Sequence, residues 1–292
     1  ALIGIGNSAS IFLQGLQNYR KDDTSPSLWH KKIGRYKVSD IKVVEAFDVD
    51  KRKIGLDLSE AAFTYPNIAS KYVSLEEVQL GLIRDPPHPH LKGWMAEGEG
   101  DVVKLLSESR VDVAVNLIPT GLDNTSKAYA EAAFKAGCSF VNCTITPIVD
   151  NSDLVERFRR AGLVVVGDDL MSQLGGTAFH KGLLSFIHSR GIFVTRCYQL
   201  DVGGGSESLN ATNEKIRQAK RDVKTDAVSI ELPYSFQSVA GTTDYVEHLG
   251  NERVSYFWIK GEGFLGSPIH IDIHLRTADG PNAGNILLDV VR

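Results

Sequence analysis

The sequence has little cysteine and no long apolar run. Its three cysteines, Cys138, Cys143 and Cys197, form an odd count without a Cys-x-x-Cys pair. This usage argues against a disulfide scaffold or a structural zinc cluster and fits a reducing compartment, so we expect a cytoplasmic location. No apolar run approaches the roughly 18 residues that a bilayer span needs, and the first residues show no charged n-region or cleavage site. We therefore expect neither a membrane span nor a secretory signal.

Positive charge is not in excess either. Lys and Arg number 32 against 36 Asp and Glu, which gives a formal net charge of −4. Because proteins that bind nucleic acids or anionic membranes are usually basic, we expect neither partner. The 292 residues are 42% hydrophobic, which is enough for a core and fits one large domain or two modest ones.

Strands and helices alternate through the first 167 residues. The predicted strands lie at 1–3, 41–49, 111–117, 139–143 and 163–166, and the predicted helices at 10–19, 53–62, 101–109, 127–136 and 154–161. This alternation predicts an α/β fold with a doubly wound parallel sheet covered on both faces. After about Gly176 the pattern changes to a helix at 178–189 and strands at 193–202, 256–262 and 269–277. The last of these strands alternates as a half-exposed antiparallel strand does.

A glycine-rich motif follows the first predicted strand. It reads G-x-G-x-x-A and comprises Gly4, Ile5, Gly6, Asn7, Ser8 and Ala9. In such a turn the glycines let the backbone approach a pyrophosphate, and the next helix offers its N–H groups to the phosphates. Asp48 ends the second predicted strand, where a carboxylate would accept from the ribose 2′-OH of NAD. The alternative is a plain tight turn that binds no nucleotide.

Eight segments together resemble the myo-inositol-1-phosphate synthase family. In chain order they are GIGNSAS, AFDVDKRKIGLDL, VDVAVNLIPTG, AGCSFVNCTITPIV, VVVGDDLMSQLGGT, YQLDVGGG, AKRDVKTDAV and DGPNAGNILLDVVR. The resemblance implies a Rossmann-like NAD domain over residues 1–176, with 281–292 packing back onto it. It also implies an α+β catalytic and oligomerisation domain over 177–280, and a homo-oligomer that is a tetramer in this family.

The same resemblance implies a redox-neutral cyclisation of the sugar phosphate D-glucose 6-phosphate to 1L-myo-inositol 1-phosphate. NAD oxidises C5 to a ketone, a base removes a proton from C6, and the resulting enolate attacks C1 in an intramolecular aldol step. NADH then reduces C5 again. Because NAD is regenerated, such an enzyme is an isomerase.

Lys220 and Lys224 are the first candidates for this chemistry. An ammonium can pair with a phosphate or an oxyanion, and a neutral amine can act as a base. On a helix the i, i+4 spacing places both on one face, where they repel each other unless an anion lies between them. The residues alone favour a solvated basic face, since Lys215, Arg217 and Arg221 lie nearby. The resemblance instead matches Lys220 and Lys224 to the paired catalytic lysines of the family.

Two loops supply further candidates. Asp168 and Asp169 follow a predicted strand at the sheet edge where α/β proteins bind ligands, although Asp169 could equally cap the next helix. The resemblance places Asp168, Asp169 and Ser172 beside the nicotinamide end of NAD and includes Asp168 in the active site. The loop after the strand at 111–117 contributes the remaining cofactor candidates, which are Asn116, Pro119, Thr120 and Gly121.

One predicted strand presents His270, Asp272 and His274 on a single face. Two histidines and a carboxylate could bind a divalent metal, and the alternative is a polar face that meets solvent or substrate. The resemblance favours Asp272 and His274 as residues of the substrate pocket. It also matches Asp244 to an acidic position near the active site.

Three positions depart from the family pattern. Met171 stands where many members have lysine, Gly205 where many have asparagine, and Glu207 where many have aspartate. Three hypotheses therefore remain: an active synthase, an NAD-dependent sugar-phosphate dehydrogenase, and a non-catalytic NAD-binding paralogue. The retained lysines and acidic residues favour the active synthase.

Overall fold

The computed structural model describes residues 1–22, 24–75, 83–84 and 102–292, which divide into two compact units. The first comprises Ala1–Leu170 and Ala283–Arg292, and the second comprises Met171–Asn282. The boundary falls at residue 170, before the expected residue 176, and the intervening segment bonds to Asn282 of the same unit. Gln173 N donates to Asn282 O at 3.1 Å, and Asn282 Nδ2 donates to Leu174 O at 3.2 Å.

The first unit is built on a parallel sheet. Its strands are β1 (Leu2–Ile3), β2 (Lys32–Ile33), β3 (Tyr36–Lys37), β4 (Ala46–Phe47), β5 (Ile83–Arg84), β6 (Val113–Asn116), β7 (Ser139–Asn142) and β8 (Val165–Val166). Six of them form one sheet in the order β5-β4-β1-β6-β7-β8, while β2 and β3 pair separately as an antiparallel ribbon. All pairs of the six-stranded sheet are parallel. The strand order reverses between β1 and β6, which is where open α/β sheets bind ligands.

Both faces of this sheet are covered, which confirms the doubly wound prediction. Val115 and Val141 belong to one apolar core, and their neighbours Ala114 and Phe140 belong to another. Successive residues of a strand point to opposite faces, so the two cores lie on opposite sides of the sheet. The helices of this unit are α1 (Asn7–Lys21), α2 (Leu58–Ala61), α3 (Val102–Glu108), α4 (Asp123–Ala136) and α5 (Ser152–Arg160).

Two predicted elements are much shorter in the structure. The strand expected at 41–49 is only β4, and the helix expected at 53–62 is only α2. Between them Gly55 takes a left-handed φ of +83°, which ends the turns that follow β4. Asp57 then caps α2 by accepting from Ser59 N at 2.8 Å. Propensity and spacing alone did not reveal this turn.

The second unit combines a four-stranded sheet with helices. The strands are β9 (Phe193–Gly203), β10 (Gln237–Tyr245), β11 (Glu252–Glu262) and β12 (Pro268–Ala278) in the order β10-β9-β11-β12. The helices are α6 (Gly176–Ser189), α7 (Ser206–Asn210), α8 (Glu214–Ser229) and α9 (Asp279–Val291), which continues into the first unit. Only β9 and β10 are parallel. The antiparallel pairing of β11 with β12 confirms the strand predicted at 269–277, whereas β10 was not predicted.

The two faces of this sheet differ. The inner face lies under α6 and α8: Cys197 and Ile259 share a buried core with Leu184 of α6 and Val228 of α8. The inner face carries Cys197, Gln199, Asp201, Ser255, Phe257 and Ile259, all buried. The outer face carries the alternate residues of β9 and β11 and the β12 residues on the same side. Its members are Tyr198, Leu200, Tyr256, Trp258, His270, Asp272 and His274. Among the described residues, no helix is both long enough and apolar enough to cross a membrane.

Candidate active site

The glycine motif lies at the junction of β1 and α1, as predicted. Gly4 has a φ of +90°, and a Cβ there would lie 3.0 Å from the backbone of Leu117, so this approach to the end of β6 requires glycine. A Cβ on Gly6 would meet nothing within 4 Å. Helix α1 then begins without a side-chain cap and without an acidic residue in its first turn. Its first N–H groups are therefore available to a phosphate beside the open backbone at Gly6.

Asp48 and Lys53 hold this loop by hydrogen bonds to the backbone of Ile5. Asp48 Oδ2 accepts from Ile5 N at 2.8 Å, and Lys53 Nζ donates to Ile5 O at 2.6 Å. Both side chains are buried, and the ammonium lies 3.8 Å from the Asp48 carboxylate. Burial lowers the pKa of Lys53, and the neighbouring Asp48 opposes this effect. Asp48 thus fixes the loop backbone, and its oxygens keep lone pairs that could accept from a ribose hydroxyl.

A chain of amide and carboxylate groups links the ends of β6 and β7 with the segment after β8. Asn116 Nδ2 donates to Asn142 Oδ1 at 2.9 Å, and Asn142 Nδ2 donates to Asp168 Oδ1 at 2.7 Å. The other oxygen of Asp168 accepts from the backbone N–H groups of Ile148 and Val149 at 2.8 and 3.0 Å. The structure therefore brings the predicted residues Asn116 and Asp168 together. In this arrangement Asp168 also shapes the 144–149 loop.

The other predicted cofactor residues lie on several different elements. Pro119, Thr120 and Gly121 follow β6 at the carboxyl edge of the sheet. Asn7, Ser8 and Ala9 form the first turn of α1, and Asn7 Oδ1 accepts from Ile68 N at 2.8 Å. Asp169 Oδ1 accepts from Leu170 N at 2.9 Å and does not cap α6, whose N-cap residue is Gly175. Ser172 belongs to the second unit, where its Oγ would lie 2.1 Å from a Cβ on Gly175. The open Gly6 backbone, the uncapped α1 and Asp48 fit a dinucleotide at the strand-order reversal.

In the second unit, the inner face of the sheet meets two buried lysines. Lys220 and Lys224 lie on the same side of α8 and are 2% and 9% exposed. Each has its own carboxylate: Lys220 Nζ donates to Glu207 Oε1 at 2.7 Å, and Lys224 Nζ lies 3.4 Å from Asp201 Oδ2. The solvated basic face that the residues alone favour is therefore wrong. The repulsion expected between the lysines is relieved by two carboxylates of the protein itself.

Arg253 extends this charge cluster, which we define as Asp201, Glu207, Lys220, Lys224, Arg253 and Asp279. Its guanidinium contacts Glu207 at 3.1 Å and Asp279 at 2.9 Å. Burial would lower the pKa of Arg253, but Asp279 and Glu207 raise it above its usual value. The Glu207 side chain is half exposed, and Arg253 and Lys220 hold its pKa well below its usual range. The charge cluster thus pairs three cations with three carboxylates.

Asp201 is the most enclosed member of the charge cluster. Ser255 Oγ donates to its Oδ1 at 2.7 Å, and Gln199 Nε2 lies 2.9 and 2.8 Å from its two oxygens. Burial would raise the pKa of Asp201, but Lys224 and Arg253 hold it below its usual value. Behind it, His180 Nδ1 lies 3.1 Å from Gln199 Oε1. Burial lowers the pKa of His180 to about 4.

Asp272 and His274 lie on the outer face, away from the charge cluster. They pair in register with Trp258 and Tyr256, whereas the neighbouring Ser255 points inward to Asp201. Asp272 accepts from the Tyr256 hydroxyl, and the rings of His274 and Tyr256 are centred 4.9 Å apart. Contrary to the expected shared pocket, the register does not bring these two residues to the lysines within one chain. Their catalytic role stays a prediction.

Two further expectations concern exposed residues of the same sheet. Asp244 lies at a bulge of β10 and accepts from the N–H of its neighbour Tyr245 at 2.7 Å. The possible metal site rested on His270, Asp272 and His274, which stand at alternate positions of β12. Within the described ranges, no group of three His, Cys, Asp or Glu side chains is arranged to hold a metal ion.

Three members of the charge cluster were not predicted from the sequence, and they are Asp201, Arg253 and Asp279. The neighbouring Gln199 and His180 were not predicted either. One signal was available: Gln199 and Asp201 stand two residues apart in a strand and so share one face. Polar residues at such positions on a buried face need partners, and this predicts an interior network.

Comparisons with known proteins agree with these features. Residues 175–280 match the family described as Myo-inositol-1-phosphate synthase. The inositol-3-phosphate synthase of Corynebacterium glutamicum is 34% identical over 310 residues, covering 100% of this chain and 85% of that protein. The inositol-3-phosphate synthase of Mycobacterium tuberculosis H37Rv is 34% identical over 305 residues, covering 100% of this chain and 83% of that protein.

Solved structures give the same picture. The crystal structure of Ari2 matches with a TM-score of 0.81 and 30% identity, covering 100% of this chain and 84% of that one. A myo-inositol-1-phosphate synthase-related protein from Thermotoga maritima matches with a TM-score of 0.78 and 26% identity, covering 99% and 85%. Inositol-3-phosphate synthase from Caenorhabditis elegans shares the fold, with a TM-score of 0.72 at 14% identity, covering 99% and 73%.

Proposed function

The chain belongs to the myo-inositol-1-phosphate synthase family, and we propose on this premise that it converts D-glucose 6-phosphate to 1L-myo-inositol 1-phosphate with NAD as its cofactor. As an inositol-3-phosphate synthase it is an isomerase, because oxidation and reduction at C5 cancel. The observation that carries the proposal is the pair of buried lysines, each held by a carboxylate, on one side of α8. Lysine side chains are rarely buried unless they are paired, and these two pairs place both ammoniums on one side of α8.

The first unit would hold NAD. The backbone at Gly4 and Gly6 and the N-terminus of α1 would bind the pyrophosphate, and Asp48 would accept from the ribose. Asn116 and Asp168 would line the groove at the carboxyl ends of the strands. The other predicted cofactor residues of this unit would complete this groove, and they are Asn7, Ser8, Ala9, Pro119, Thr120, Gly121 and Asp169. When bound, NAD supplies an acceptor for the C5 hydride and later returns that hydride.

The second unit would supply the charges that the sugar chemistry needs. We assign Lys220 and Lys224 as ammonium donors toward the oxyanion that forms when a C6 proton is lost. Glu207 and Asp201 hold these ammoniums in place before substrate arrives, so little reorganisation is needed. Arg253 and Lys220 hold the pKa of Glu207 well below its usual range, so Glu207 stays an acceptor. The hydrogen bonds that the two lysines donate to Glu207 and Asp201 favour donor roles over the role of a base.

The outer face of the four-stranded sheet would serve assembly into a homo-oligomer, a tetramer in the family pattern. Tyr198 and Trp258 stack there with ring centroids 5.4 Å apart, and Leu200 beside them is 40% exposed. Exposed apolar side chains grouped on one face commonly mark a protein interface. In this proposal Asp272 and His274 belong to that outer face. The described residues give no support for a divalent metal, and none is part of the proposal.

The proposed function is tested by the product. Purified protein is incubated with glucose 6-phosphate and a catalytic amount of NAD, and the products are followed by phosphorus NMR while NADH is followed by absorbance. The proposal expects inositol phosphate without accumulated NADH.

Two other results would contradict this proposal. An oxidised sugar phosphate with one NADH per turnover would identify a net dehydrogenase. No product from protein that still binds NAD would indicate a different sugar-phosphate substrate or a non-catalytic paralogue, and the departures at Met171 and Gly205 favour the paralogue.

A further inference from the structure

Asp201 is a buried carboxylate that accepts hydrogen bonds from several elements of the second unit. It is 1% exposed, and its carboxylate receives donors from three different strands and helices. Lys224 comes from α8, Ser255 from β11 and Gln199 from β9 itself. A carboxylate with this many donors stays an acceptor and does not need a proton of its own.

The direction of the hydrogen bonds behind Asp201 is fixed. Because Asp201 is ionised, Gln199 must turn its Nε2 toward the carboxylate, at 2.9 and 2.8 Å from the two oxygens. Gln199 Oε1 therefore faces His180 Nδ1 at 3.1 Å, so this ring nitrogen carries the proton. His180 Nε2 is then a bare acceptor, and in the described part of the chain it has no hydrogen-bond partner.

The packing leaves this network no room to rearrange. Gly176, the first residue of α6, lies directly against it: a Cβ there would be 2.1 Å from Gln199 Nε2 and 2.9 Å from Asp201 Oδ1. The His180 ring packs edge-on against Phe257 with centroids 5.4 Å apart. The Asp201 backbone N–H is also held, because it donates to Thr243 Oγ1 at 3.0 Å. Asp201 is thus fixed on all sides before any ligand binds.

Lys224 is held differently. Its Nζ lies 3.4 Å from Asp201 Oδ2, the long end of the hydrogen-bond range, and within the described residues this is its one ion-pair partner. An ammonium has three N–H groups, so two remain for a ligand. Lys220, by contrast, makes a 2.7 Å bond to Glu207. Both lysines thus have one carboxylate partner among the described residues, and the partner of Lys224 is the enclosed Asp201.

We propose that Asp201 is a positioning residue of the reaction, which holds Lys224 in its protonated form and aims it at the substrate, with Gln199 and His180 keeping Asp201 in place as an ionised acceptor. This inference rests on the proposed function. Asp201 itself touches no substrate in this account and acts only through Lys224.

The charged and titratable groups that face Asp201 come from each packed element. They are Lys224 on α8, Arg253 on β11 and His180 on α6. Arg253 is shared with Glu207 and Asp279, which leaves Lys224 as the cation most dependent on Asp201. Removal of the Asp201 charge therefore acts mainly on Lys224. An ammonium that loses its carboxylate gives up its proton at a lower pH.

The decisive experiment is the pH dependence of kcat for Asp201→Asn, an isosteric change that removes the charge. If Lys224 must be protonated, kcat falls at high pH, and the substitution moves this basic limb to lower pH by about one to three units. Asp222→Asn is the matched control, because it makes the same charge change on α8 at an exposed residue bonded to Gln218. Its basic limb should coincide with that of the wild type. A uniform loss of kcat in Asp201→Asn with an unmoved limb would overturn the proposal.

A second readout does not depend on turnover. In protein labelled with carbon-13 lysine, the Lys224 signal, assigned with Lys224→Arg, is titrated by NMR in wild type, Asp201→Asn and Asp222→Asn. The proposal expects Lys224 to lose its proton at lower pH in Asp201→Asn alone, and coincident titrations would overturn it. If wild type makes no inositol phosphate, the proposed function fails while this titration still decides whether Asp201 controls Lys224. Asp201→Ser removes the same charge and replaces Asp201→Asn if that variant does not fold.

Discussion

The two faces of the four-stranded sheet are made by alternate residues of the same strands, yet they hold ionisable side chains in opposite ways. On the inner face Asp201 is buried and bonded to Ser255 and Gln199. On the outer face Asp272 is exposed and accepts from the hydroxyl of Tyr256. Ser255 and Tyr256 are adjacent in sequence, so one step along β11 separates an enclosed carboxylate from an exposed one.

This difference indicates which face of the sheet carries the reaction. Charges that are buried and paired interact strongly, because water and salt screen them little. Charges on the outer face are screened and contribute less. We therefore assign the reaction to the inner face and assembly to the outer face, and the predictions below test that division.

The largest effect is expected for the buried lysines. Lys220→Ala and Lys224→Ala should each lower kcat by about 10²–10⁴-fold, because each removes a fixed donor from a developing oxyanion. NAD binding, measured by calorimetry, should persist, since neither lysine is among the proposed cofactor residues. Lys215→Ala, an exposed lysine of the same helix, is the control and should keep the wild-type rate. A near-normal rate in either buried-lysine variant would show that this lysine has another role.

Two glycines of α6 allow a matched test of packing on the inner face. Gly176→Ala should lower the free energy of unfolding by about 3 kcal/mol, because its Cβ would overlap Gln199 and crowd Asp201. Gly182→Ala should raise it by about 0.5–1 kcal/mol, since its Cβ meets nothing within 4 Å and alanine favours helix. Urea unfolding measures both. Equal effects from the two substitutions would mean that Gln199 and Asp201 are loosely packed.

His180 should make stability depend on pH. Its pKa is lowered from 6.5 to about 4 by burial, so between these values the unfolded chain binds a proton that the folded chain does not. Stability therefore falls as pH drops through this window, by about 2 kcal/mol between about pH 7 and pH 5. His180→Asn, which keeps a donor toward Gln199, should lose this part of the slope. Parallel stability curves for wild type and variant would contradict the buried neutral histidine.

The smallest effects compare adjacent hydroxyls on the two faces. Ser255→Ala removes a donor from buried Asp201 and should cost about 2 kcal/mol of unfolding free energy. Tyr256→Phe removes a donor from exposed Asp272 and should change stability by less than about 0.5 kcal/mol. Both are measured by urea unfolding of the same preparation. A larger loss in Tyr256→Phe would reverse the assigned roles of the faces.

Much of the first unit could be predicted from the sequence because its signals are local. The Gly4–Gly6 turn, Asp48 at a strand end and the alternation of short apolar strands with helices each depend on a few neighbouring residues. The i, i+4 spacing likewise placed Lys220 and Lys224 correctly on one face of a helix. The predicted lengths of two elements were wrong. Strand β4 and helix α2 are short because the backbone N–H and C=O groups between them form hydrogen bonds within turns.

The charge cluster could not be predicted in the same way. Asp201 and Lys224 are 23 residues apart and meet only because α8 packs over a sheet that includes the unpredicted β10. For β12, the period of two placed Asp272 and His274 on the polar face, opposite Ile271, which packs against the core under α6 and α8. Their expected place in the substrate pocket came from the family resemblance and not from this pattern.

The most direct test of the central claim uses glucose 6-phosphate deuterated at C5. Wild-type protein is given this substrate with NAD, and the product and the cofactor are analysed by mass spectrometry. A redox-neutral cyclisation predicts inositol phosphate that retains the deuterium, with no labelled NADH in solution. Labelled NADH together with an oxidised sugar phosphate would contradict the account.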